Sequence, residues 1–65
     1  MYYIKLTNKK DFDEVTDWKL PKMVDYDIHI DIPNMTLTFI NEEDKEGILN
    51  CIRMNLMEYE EGKRD

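Results

Sequence analysis

The chain contains no serine, alanine or glutamine, and its 65 residues include one cysteine, one histidine, two glycines and two prolines. Without serine there is no hydroxyl of that kind to activate as a nucleophile. The single cysteine, Cys51, cannot close an internal disulfide, and with His29 as the only histidine no paired metal-ligand spacing exists. Gly47 and Gly62 are too far apart to build a glycine-rich phosphate loop. No apolar run approaches the roughly 20 residues that cross a bilayer, and residues 1–14 lack the apolar stretch of a secretory signal. These absences lead to the expectation of a cytoplasmic, non-enzymatic chain without cofactor or metal.

What the chain does have is acid. Nine Lys and Arg stand against fifteen Asp and Glu, for a net charge of −6. The imbalance is uneven: residues 1–24 carry five basic and four acidic groups, for +1, whereas residues 25–65 carry four basic and eleven acidic groups, for −7. Such a balance argues against direct contact with nucleic acid or an anionic membrane and favours a basic protein partner.

The most strongly patterned stretch is residues 24–40, VDYDIHIDIPNMTLTFI. Val24, Tyr26, Ile28, Ile30 and Ile32 fall on every second position, the period of a half-buried strand, with Asp25, Asp27, His29 and Asp31 between them. Pro33-Asn34 supplies turn chemistry, and Met35, Leu37 and Phe39 resume the alternation. A four-residue loop over residues 32–35 sets Ile30 opposite Leu37 and Ile28 opposite Phe39, so both strands bury one face; proline cannot take the positive φ of a two-residue type I′ turn.

On either side of this hairpin the pattern is simpler. Tyr2, Ile4 and Leu6 alternate with Tyr3 and Lys5 as a first strand, and Asn8 is placed to cap a short helix over residues 9–18 with Phe12, Val15 and Trp18 inward. Pro21 marks a connector. Beyond Ile40, Asn41 and the acids after it open a second helix expected to run to residue 60, with Gly62 as its stop. Its core stripe is Ile48, Ile52, Leu56 and Tyr59, with Leu49 at the edge.

A single α+β domain over residues 1–65 follows: two layers, a three-stranded sheet with two helices on one face, in the order β-α-β-β-α. The first two strands are expected to be parallel through a right-handed crossover. Gly47, Cys51, Met54 and Met57 form a second apolar stripe on the later helix, a candidate homodimer contact.

Two rows of acid remain. Carboxylates on alternate strand positions lie about 6.6 Å apart, similar to neighbouring phosphates along a nucleic-acid strand; Asp25, Asp27 and Asp31 supply one row, and Glu42, Glu43, Asp44 and Glu46 supply the other. In length, low pI and these two rows the chain resembles the small acidic proteins with which bacteriophages disable host DNA-binding proteins by mimicking DNA. The resemblance implies an inhibitor, often dimeric, acting in the host cytoplasm on the DNA-binding surface of a basic protein. The competing expectation is a homodimeric module that uses the second helix stripe.

Overall fold

The computed structural model describes residues 1–19 and 27–64, the side chains of Trp18 and Lys19 excepted. The core role expected of Trp18, and strand positions 24–26 with Asp25 among them, lie outside the described residues. The elements are β1 (Tyr2–Leu6), α1 (Lys9–Glu14) running into a π-helical turn (Val15–Lys19), β2 (Ile28–Asp31), β3 (Thr36–Phe39), α2 (Glu42–Met54) and β4 (Tyr59–Lys63). The sheet has four strands in the order β2-β3-β1-β4, every neighbouring pair antiparallel. This is the connectivity of the split β-α-β arrangement. The expected three-stranded β-α-β-β-α order is therefore corrected by one strand, and β1 and β2 run the same way with β3 inserted between them.

The hairpin forms in the register its alternation dictates, Ile28 opposite Phe39 and Ile30 opposite Leu37. Its loop is residues 32–35, closed by the Met35 N–H donating to the Ile32 carbonyl at 3.1 Å. Pro33 sits at the second turn position, where its fixed φ fits, and Met35 takes the left-handed conformation at φ 51° that returns the chain to the sheet.

Cross-strand partners share a face, so the register sorts every strand residue. The row Ile30–Leu37–Ile4–Glu61 and the row Ile28–Phe39–Tyr2–Lys63 face the helices. Ile4, Leu6, Leu37 and Phe39 are fully buried there, under Phe12 and Val15 from the first helical segment and Ile48, Leu49 and Ile52 from α2. Burying each such side chain is worth about 1.5–3 kcal/mol. The helices centre on β1 and β3, so the outer strand β2 is left partly bare: Ile28 is half-buried, whereas Ile30 is 41% and Ile32 66% exposed. The expectation that all three isoleucines are core is corrected accordingly.

Asn8 caps α1 as expected, its Oδ1 accepting from the Asp11 N–H at 2.8 Å while its Nδ2 donates to the Asp11 carboxylate at 2.9 Å. The larger correction concerns α2, which ends at Met54 and not near residue 60. The Met57 N–H donates to the Ile52 carbonyl and the Leu56 N–H to the Arg53 carbonyl, the two bonds of a Schellman turn. Asn55 adds a side-chain bond to the Cys51 carbonyl at 2.8 Å. The turn reverses the chain and sends residues 59–63 back along β1 as β4. Leu56, expected in the core, is 90% exposed at φ 56°. Met57, expected on an outer dimer stripe, is buried beside Ile52.

Gly62, expected to stop a helix, lies within β4 opposite Tyr3. A Cβ there would come within 2.9 Å of the Tyr3 ring, so the glycine lets that ring lie across the strand. On the other face of β4, Glu61 turns inward and receives Lys45 at 3.4 Å and Arg53 at 3.6 Å, while the Arg53 Nε donates to the Tyr59 hydroxyl at 2.9 Å. Lys45 is 7% exposed, so this carboxylate is what permits a lysine to be buried beneath the sheet edge.

The left-handed position after a helix favours glycine, and Leu56 makes little packing contact to lose. Leu56→Gly is expected to stabilise the fold by about 1 kcal/mol, read as a higher denaturant midpoint with an unchanged slope. A lower midpoint would contradict the Schellman turn.

Candidate functional site

The open face of the sheet carries two cross-strand rows, His29–Thr38–Tyr3–Gly62 and Asp31–Thr36–Lys5–Glu60. Arg64 adds a guanidinium 4.4 Å from the Tyr3 ring centroid. His29 and Asp31 thus occupy the face the alternation assigned to them. Lys5, Arg64 and two threonines share it, so the surface is mixed in charge and not an uninterrupted acidic row.

Asp31 is committed to the hairpin. Its carboxylate accepts from the Asn34 Nδ2 at 2.8 Å and from the Asn34 backbone N–H at 3.4 Å, which ties the turn to the strand before it. The Asn34 side chain is the main reason its carboxyl titrates below the ordinary 3.8; desolvation is the next influence and opposes it, while the backbone bond and then the charges of His29 and Arg64 add smaller downward pushes.

The other acids converge elsewhere. Asp44, in the first turn of α2, accepts from the Asp27 backbone N–H at 3.3 Å and from the Asn41 Nδ2 at 3.4 Å. One carboxylate therefore links the approach to β2 with the start of α2, and it brings Asp27 to the same corner as Glu42 and Glu43. Asp27, Glu42, Glu43 and Glu46 are exposed and Asp44 is half-buried. Among the described residues the ion pairs within 4.0 Å are Lys9–Asp13, Lys45–Glu61 and Arg53–Glu61, and none involves this corner. Glu42, Glu43 and Asp44 lie in the first turn of α2, where the helix dipole favours negative charge.

Beside the corner lies a groove of about 170 Å³ lined by Met1, Asp27, Ile28, His29, Thr38 and Ile40. Its volume is below the several hundred Å³ of sites that enclose a drug-sized molecule. Among the described residues no three His, Cys, Asp or Glu side chains converge as a metal-ion site, and no helix there is long and apolar enough to cross a membrane.

Of the second apolar stripe, Gly47 and Cys51 are half-buried and Met54 is 76% exposed, while Met57 belongs to the core. The stripe is broken where α2 ends. No family model matches the chain, nor does any curated protein or solved structure.

Sequence reasoning did not anticipate the structural use of Asp44 and Asp31, or the Lys45–Glu61–Arg53 cluster. The spacing Asp31-x-x-Asn34 around a proline was a readable turn signal. Nothing local marked Glu61, whose partners lie on another element.

A carboxyl whose folded pKa lies below its unfolded value favours the fold when ionised. Its contribution is complete above the ordinary pKa and drains away as pH falls from about 3.8 through the lower folded value. Asn34→Ala is expected to move the Asp31 carboxyl upward toward 3.8 in an NMR titration and to make the acid-side loss of stability shallower. An Asp31 pKa that stays put after the substitution would exclude the Asn34 bond in solution.

Proposed function

We propose that the chain is a non-enzymatic acidic binding protein that engages a basic surface through the corner formed by Asp27, Glu42, Glu43 and Glu46, and that its partner is a basic DNA-binding protein whose nucleic-acid groove this corner occupies. The observation that carries the reading is the bond from the Asp27 N–H to Asp44. It ties the residue that carries one exposed carboxylate to the start of the helix that carries Glu42 and Glu43, and among the described residues no ion pair within 4.0 Å engages these acids. A folded presentation of this kind costs little ordering on binding, and its charge raises the encounter rate with a cationic groove.

Position must be distinguished from net charge. A corner variant, Asp27→Asn with Glu42→Gln and Glu43→Gln, and a control variant, Glu14→Gln with Asp17→Asn and Glu60→Gln, carry the same total charge. Binding to a panel of purified basic nucleoid-type proteins is measured by titration at low and at roughly physiological salt. The corner variant is expected to lose at least about tenfold in affinity, with a flatter salt dependence, and the control variant to bind nearly as the parent does. Equal losses in both variants would refute a localised site.

A further inference from the structure

The two edges of the sheet are β2 and β4, and they are finished differently. The edge at β4 carries Glu60, Glu61 and Lys63, with Glu61 turned inward onto Lys45 and Arg53. Inward charge of this sort blunts an edge against further pairing. The edge at β2 has no such protection on its helix-side face, where Ile30 stands exposed next to half-buried Ile28, and exposed Ile32 opens the turn that follows. Among the described residues no strand pairs with its outer side.

The order of residues along this edge is self-complementary. Read outward from Ile30, the stretch runs His29 and Ile28 in one direction and Asp31 and Ile32 in the other. In an antiparallel pair of identical strands related by a two-fold axis normal to the sheet, centring on Ile30 sets Ile30 against Ile30 of the second copy. Ile28 then meets Ile32, and His29 meets Asp31, each of these contacts made twice. Ile28 and Ile30 fall on the helix side, and both His29–Asp31 pairs on the open side, where an imidazole N–H can donate to a carboxylate.

The neighbouring allowed registers are worse. Centring on His29 sets Asp27 against Asp31 twice, and centring on Asp31 sets that carboxylate against itself while His29 meets Pro33, which has no N–H to donate. A shift by one residue places every side chain on the wrong face.

We propose that β2 is a homodimer edge: two copies pair antiparallel along Ile28–Asp31 about Ile30, joining their sheets into one continuous sheet. The inference is independent of the acidic corner and uses a different surface from the stripe on α2. The interface is short, so it belongs with weak and transient contacts, populated at high protein concentration.

Ile30 is the position to test, because it is already exposed and faces itself across the axis. Sedimentation equilibrium of the wild type over a concentration series extending to the millimolar range is expected to show a species of twice the 7.9 kDa chain mass. Ile30→Lys and Ile30→Glu, each verified as folded by circular dichroism, are each expected to weaken self-association at least about tenfold through like-charge apposition. Mixing the two variants is expected to restore association as a heterodimer. A wild type that stays monomeric throughout, variants that each dimerise as well as the wild type, or a mixture that does not associate would overturn the proposal.

Discussion

One buried face holds this molecule together. Ile4 and Leu6 on β1, with Leu37 and Phe39 on β3, are fully buried, and both helical segments exist as helices because they lie on those four side chains. A chain of 65 residues has enough apolar surface for one such layer and not for a second. The consequences spread outward from the middle of the sheet. The outer strand β2 is covered only in part, β4 is held by an ion cluster and a Tyr3–Gly62 contact more than by apolar burial, and no helix among the described residues covers the far face of the sheet. Every surface with functional potential is therefore something the core could not cover.

The legible part of the fold was the part governed by local period and turn chemistry. The register of the hairpin and its four-residue loop followed from alternation around Pro33-Asn34, and the Asn8 cap followed from its spacing to Asp11. Ile48, Leu49 and Ile52 were readable as the core stripe of a helix. The last strand was not readable. Residues 59–63, YEEGK, have poor strand propensity and pair because β1 offers them a ladder, a case of tertiary context overriding local preference. Leu56 and Tyr59 continued the helical period by coincidence, and the true stop is a Schellman turn with leucine where glycine is the usual signal. Alternation also cannot report which strand of a sheet lies at its edge, and so Ile30 had the right face and the wrong burial, while Ile32 fell in the loop and stands exposed.

The acids were legible as a group and not as individuals. Glu42, Glu43 and Glu46 are exposed at the start of α2, as their place in the sequence suggests, and Asp27 joins them only because Asp44 reaches back to its N–H. Asp31 was counted with them on period alone, and its carboxylate closes the hairpin. Two roles for one residue type thus separate along a geometric line: the carboxylates that accept from nearby N–H groups set the shape, and those left exposed carry the charge outward. The open face, with Lys5 and Arg64 beside His29 and Asp31, is mixed in charge, whereas the exposed acids at the start of α2 have no ion pair within 4.0 Å among the described residues.

The proposed function requires the corner to compete with phosphate for the same groove. The most direct measurement is a displacement titration, in which duplex DNA is added to a preformed complex between this protein and a basic DNA-binding protein it retains at low salt. Mutual exclusion is expected, with the apparent affinity for the partner falling in proportion to the free DNA concentration and no three-component species by sedimentation. A stable ternary complex, with DNA and this protein bound to the partner together, would contradict the account at its centre.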